Sequence, residues 1–145
     1  MKKIQIDRLN YFKNELKSYR YLCSKRLALL DEKKVLDNQL YGYGGPNYDG
    51  VHIENSFHEV NPITLIEEKM SRNKALLETV VDRINNIDLF LSELDSDLKR
   101  DIMLIYIDKK CSVDQRATLH NLTVMQERRN IDNTINMFLE NNPKI

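Results

Sequence analysis

Between residues 123 and 130 the chain reads T-V-M-Q-E-R-R-N, which brings Thr123, Gln126, Arg128, Arg129 and Asn130 within eight positions. These side chains match the edges of DNA bases: arginine offers a fork of donors to guanine, and glutamine or asparagine pairs with adenine through two hydrogen bonds. A threonine at a helix start can hold a phosphate beside the free backbone N–H groups there. On the first turns of a helix, the five would form a surface able to read a major groove. The bland alternative is a solvated face with its caps, because any surface helix offers similar groups.

Catalysis finds less support. The three histidines sit in no Ser/His/Asp or Cys/His arrangement. Asp82, Asp88, Glu67 and Glu68 fall in a helical pattern where a charged solvent face explains them. Cys111 precedes a helix start, which can lower a thiol pKa, but a small buried hydrophobe is its expected role. His52 and His58 lie near Asp49, Glu54 and Glu59 without a compact ligand spacing, and neither cysteine is close. The sequence therefore predicts no enzyme, no metal and no cofactor.

Local signals place the 123–130 run on a helix. Thr123 and Gln126 form T-x-x-Q, and Ser112 and Gln115 form S-x-x-Q. In each box the first side chain caps the backbone three residues on, and the glutamine returns the bond. Between them "HNL" breaks the chain, with Asn121 suited to a left-handed turn. The later helix runs through Ile131, Ile135 and Phe138 to about Asn141, before Pro143. An earlier helix opens at Asp95 or Ser96, carries Leu98, Ile102, Ile105 and Tyr106 on one face, and ends near Lys109-Lys110, whose charges suit a helix C-terminus. The last third is thus expected to hold three helices.

Upstream, Leu9, Phe12, Leu16, Tyr19, Cys23, Leu27 and Leu30 recur at three- and four-residue steps, continued by Leu36 and Leu40. This predicts one long amphipathic helix that needs a partner. Asn61-Pro62 marks a second start, Asn as N-cap and Pro at the first helical position. Ile63, Ile66, Met70, Leu77, Val80, Ile84, Ile87 and Leu91 keep the same period from there. An antiparallel helical hairpin covers both stripes. Between them, around residues 41–61, lie all four glycines, a proline, Tyr41, Tyr43, Tyr48 and Phe57, which predict an irregular connection.

The 145 residues are balanced overall, with 22 basic and 22 acidic side chains, but unevenly spread. Residues 1–40 carry ten Lys/Arg against five Asp/Glu, and residues 41–95 carry four against ten, so the two stretches are suited to pack together. No apolar run has membrane-spanning length and the N-terminus has no secretory apolar core. Two distant cysteines suggest reduced thiols, so the cytoplasm is the expected compartment and no membrane partner is expected.

From Leu94 to Leu139 the pattern resembles region 4 of sigma-70 type factors: a leading helix, Ser112 at the scaffold-helix cap, Ala117 at the small-residue site, a turn, and Thr123 at the cap of the reading helix. The whole layout resembles phage-encoded transcriptional regulators of the RinA and ArpU kind. Arg116, His120, Asn121 and Glu127 depart from the region-4 pattern, which has an apolar residue or a turn glycine at those places. A buried Arg or Glu without a partner is costly, so the expectation is either that the helices rotate these groups to solvent or that the copy is degenerate. The resemblance implies an all-α protein with a helical hairpin over 1–93 and a helix-turn-helix unit over 94–145. It implies a phage or prophage regulator that contacts double-stranded DNA through Thr123, Gln126, Arg128, Arg129 and Asn130. RNA polymerase is an implied further partner, and the hairpin a means of homodimerisation. The alternative is a helical protein–protein adaptor without DNA binding.

Overall fold

The computed structural model describes residues 2–43 and 62–145. The described chain is all-helical and contains no strand. Its helices are α1 (Lys3–Lys17), α2 (Tyr19–Tyr43), α3 (Pro62–Ser92), α4 (Ser96–Ile102), α5 (Val113–Leu119) and α6 (Val124–Asn141), with a π-helical turn, Met103–Ile107, continuing α4. Among these none is long and apolar enough to cross a membrane. The expected cap Asn61 and the side chains of Tyr43, Tyr48, His52, Phe57 and His58 lie outside the described residues.

The single long helix expected over the first forty residues is interrupted at Ser18. The Ser18 hydroxyl donates back to the Asn14 carbonyl at 2.9 Å, and the Ser18 N–H is shared between Asn14 and Glu15. Such back-bonding bends a helix. Buried positions continue across it by seven, from Glu15 to Leu22. Before it Leu9, Phe12 and Leu16 are buried as the periodicity requires. After it the buried set becomes Leu22, Leu29 and Leu36, spaced by seven, while Leu27 and Leu30, expected inside, are exposed. On α3 the buried positions Ile66, Asn73, Val80 and Ile87 also repeat by seven, as do Ile84 and Leu91. A seven-residue repeat is the signature of coiled-coil-like seams.

The chain divides into two compact units, whose limits differ from the expected 1–93 and 94–145. One is residues 23–82. Within it Asn73, buried on the α3 seam, donates its side-chain amide to the Leu29 carbonyl of α2 at 2.8 Å. This satisfies a polar group that would otherwise cost stability, and it ties one α3 position to one α2 position. Next to it Lys33 occupies a seam position of α2, and with Leu36, Met70 and Leu77 it lines a groove of about 390 Å³.

The other unit joins residues 1–22 to 83–145. Its centre is three rings from three helices, Phe12 of α1, Phe90 of α3 and Phe138 of α6. All pairs of ring centroids lie 5.1–5.5 Å apart, and Phe12–Phe90 and Phe90–Phe138 meet edge to face. That geometry aligns positive ring edges with negative faces. Around it, Glu15 of α1 is buried and takes two hydrogen bonds from the Arg83 guanidinium, one of them 2.8 Å from Nε. The partnership raises the Arg83 pKa despite some desolvation. Tyr19 donates to Asp88 at 2.7 Å, and Arg20 pairs with Asp108 at 2.7 Å.

The α2 phase is open to a direct check. Leu29→Ala is expected to destabilise the protein by ~2–5 kcal/mol, the usual cost of emptying a buried leucine site. Leu27→Ala should change stability by less than about 0.5 kcal/mol. Equal losses in urea denaturation would contradict the seven-residue seam.

Candidate nucleic-acid interface

Both sequence-predicted capping boxes form. Ser112 Oγ accepts from Gln115 N at 3.2 Å and Gln115 Oε1 accepts from Ser112 N at 3.0 Å. Thr123 Oγ1 accepts from Gln126 N at 3.1 Å and Gln126 Oε1 accepts from Thr123 N at 3.0 Å. Between them Asn121 has φ 57°, the left-handed conformation its type tolerates. Its N–H bonds to the Thr118 carbonyl, and the Leu122 N–H reaches back to the Ala117 carbonyl at 2.9 Å. This pair of bonds is a Schellman closure, which satisfies carbonyls orphaned at the end of α5. The turn between α5 and α6 is therefore fixed by its own backbone.

The inner side of α6 is buried through Ile131, Ile135, Phe138 and Leu139. Helix α1 secures its far end. Arg8 Nη2 donates to the carbonyls of Leu139, Asn142 and Ile145 at 3.2–3.4 Å, placing a cation at a helix C-terminus where the helix dipole favours it. Lys13 Nζ lies 2.6 Å from Asp132 Oδ1.

Thr123, Gln126, Arg128, Arg129 and Asn130 are all exposed, but they are not equivalent. Thr123 spends its hydroxyl, and Gln126 its carbonyl oxygen, on the cap; the Gln126 Nε2 amide remains as a donor. Residues three, four and seven apart share a helix face, so Gln126, Arg129 and Asn130 stand together with Asn133, which is also exposed. Arg128 stands off that face, on the flank of Asp132, where its charge acts on the buried Tyr106. Asn133 escaped the sequence reading, although counting seven from Gln126 finds it.

The four departures from the region-4 pattern have an outcome that neither expectation covered. Arg116 and Glu127 both stay buried, Arg116 paired with a carboxylate and Glu127 beside the same one. Asp101, at the end of α4 and itself buried, receives Arg116 Nε and Nη2 on Oδ1, each at 2.6 Å. His120, which caps α5, brings Nε2 to 3.1 Å and 3.0 Å from the two Asp101 oxygens. Glu127, in the first turn of α6, brings a carboxyl oxygen within 4.8 Å of Asp101 and His120, and its Oε1 is buried without a hydrogen-bond partner. One carboxylate of α4 thus gathers side chains from both helices flanking the turn. Asp101, His120 and Glu127 also line an open groove of about 470 Å³ together with Asp95, Asp97 and Asn130.

Burial, then the hydrogen bond and charge of Asp101, push the Glu127 carboxyl above its ordinary 4.5. Burial alone would raise Asp101 as well. The hydrogen bonds from His120, Arg116 and Glu127 outweigh it and hold that carboxyl below 3.8. The hydrogen bond to Asp101 raises His120 above 6.5. Compared with known proteins, the chain matches no family model, no curated protein and no solved structure.

These shifts fix the sign of a pH effect. Glu127 holds its proton more tightly when folded, so its contribution to stability is complete below about pH 4.5 and fades as pH rises through the folded value. His120 contributes fully below about pH 6.5 and likewise fades upward. Asp101 acts oppositely, its contribution vanishing as pH falls through its lowered value. In metal-free buffer the melting temperature is expected to decline between about pH 5 and pH 8. Glu127→Gln, which cannot ionise, should flatten that decline; an unchanged slope would contradict the raised Glu127 carboxyl.

Proposed function

We propose that the protein is a DNA-binding transcriptional regulator, of the kind encoded by phages and prophages. In this reading α5, its turn and α6 act as a helix-turn-helix, and α6 lies in the major groove. The observation that supports it best is the disposition of charge along α6. The two acids of its first half are withdrawn from the surface that would meet DNA, Glu127 by burial and Asp132 by pairing with Lys13. Gln126, Arg129, Asn130 and Asn133 remain exposed on one face. A chain that is neutral overall can therefore still offer a local basic and amide-rich strip to a duplex. Arg129 is assigned to guanine, the amides to adenine edges, and Arg128 to a phosphate beside them. A second copy, paired through α2 and α3 as a helical hairpin, would double the contact, and RNA polymerase is the further partner.

A helical adaptor without DNA binding is favoured by a different observation: Leu27, Val35, Leu65 and Leu76 expose large aliphatic surface on α2 and α3. Fluorescence anisotropy with labelled duplexes separates the two. As a regulator, the protein should bind duplex DNA with an affinity that falls steeply as salt rises. Arg129→Ala should cost ~1–3 kcal/mol and relax base preference, whereas Arg128→Ala should weaken all sequences alike and lower the salt slope by about one. No binding at low salt, across upstream fragments of neighbouring genes, would leave the adaptor reading.

A further inference from the structure

The cluster around Asp101 gathers side chains from three helices. Asp101 (α4), His120 (the end of α5) and Glu127 (α6) each offer one ligand atom, and these atoms all lie within 4.8 Å of one another. His120 Nε2 and Asp101 Oδ2 are already 3.0 Å apart. An ion that holds ligands at ~2.0–2.2 Å in a tetrahedron spaces them by about 3.3 Å. Small inward movements of the third side chain would complete such a set. Glu127 is only 3% exposed, and its Oε1 is buried without a hydrogen-bond partner. A buried acceptor left unpaired is unfavourable, and this one lies in the same carboxylate as the third candidate ligand.

Arg116 brings a positive charge that at first sight opposes a cation. Both of its contacts go to Asp101 Oδ1, so Oδ2 is left to His120 and to any ion beside it. A donor on the far oxygen of a ligating carboxylate is the usual outer-shell support that orients such a ligand. Two ionised carboxylates and one guanidinium carry a net single negative charge, which a divalent ion turns into a single positive one. A way in exists: the open groove beside the cluster is rimmed by the exposed acids Asp95 and Asp97, which attract cations.

We propose that Asp101, His120 and Glu127 form a binding site for one divalent transition-metal ion of the zinc class, with Arg116 orienting Asp101 from the outer shell. One nitrogen and two carboxylate oxygens suit Zn²⁺ and its first-row neighbours better than Mg²⁺ or Ca²⁺, which call for more oxygen ligands. Bound there, the ion joins the end of α4 to both helices of the α5–α6 pair. The site is independent of whether α6 meets DNA.

The test uses the full chain, stripped with chelator and titrated with Zn²⁺ by calorimetry, with melting temperature followed in parallel. The expected result is one ion per chain and a raised melting temperature, with affinity falling ~100-fold or more in both His120→Gln and Glu127→Gln. Circular dichroism establishes that each variant is folded. His120 is half-exposed, so His120→Gln keeps the test alive if Glu127→Gln fails to fold. Three outcomes overturn the proposal: no Zn²⁺ bound, binding only at millimolar concentrations, or a folded variant that binds as tightly as the parent. The last would place the ion on other residues, including His52 or His58.

Discussion

Helix α6 can present an outer face only because its inner face is held, and the hold is the contact among Phe12, Phe90 and Phe138. Each ring comes from a different helix, and the segments carrying them are far apart in sequence. Removing any one leaves the other two facing a void the size of an aromatic ring, among the more costly defects a core can suffer. The polar contacts at its edge depend on this packing. Arg8 reaches the last carbonyls of α6, Lys13 reaches Asp132, and Glu15 meets Arg83 because α1 already lies against the rings. None of these contacts would hold two helices together in water alone, since exposed ion pairs contribute little.

A second constraint acts at the other end of α6. Its angle to α5 is set twice, by the backbone closure through Asn121 and by Asp101, which binds Arg116 and His120 before the turn and lies against Glu127 after it. Backbone closure defines a local conformation. The carboxylate ties that conformation to α4. A buried charge network of this kind contributes less to net stability than an apolar core of equal volume, and removing one partner is costly. Its value lies in restricting how α5 and α6 can be arranged.

What could be read from the sequence follows the range of the interaction. The capping boxes at Ser112–Gln115 and Thr123–Gln126, and the left-handed Asn121, involve residues within four positions, and each appears where its residue types place it. The α2 stripe went astray because a three-four walk from Leu16 reaches Leu27 and Leu30 as readily as Leu22 and Leu29. Arg116 and Glu127, expected to turn to solvent or to mark a degenerate copy, are buried instead. Asp101, which lies beside both, stands on a different helix, and no local pattern links it to them. The ring cluster was not legible at all, since Phe12 and Phe138 are brought together only by the tertiary fold.

The contacts between α1 and α6 also bear on the order of events during synthesis. Arg8 is bonded to carbonyls more than 130 residues downstream, so α1 leaves the ribosome long before its partner exists. Residues 23–82 form one contiguous unit, whereas the unit holding α1 also needs α6. Until then α1 has Leu9, Phe12 and Leu16 uncovered, an apolar surface available to chaperones or to neighbouring nascent chains. Closing so wide a loop is slow compared with forming the helices themselves. Completion of this unit therefore waits on the synthesis of α6.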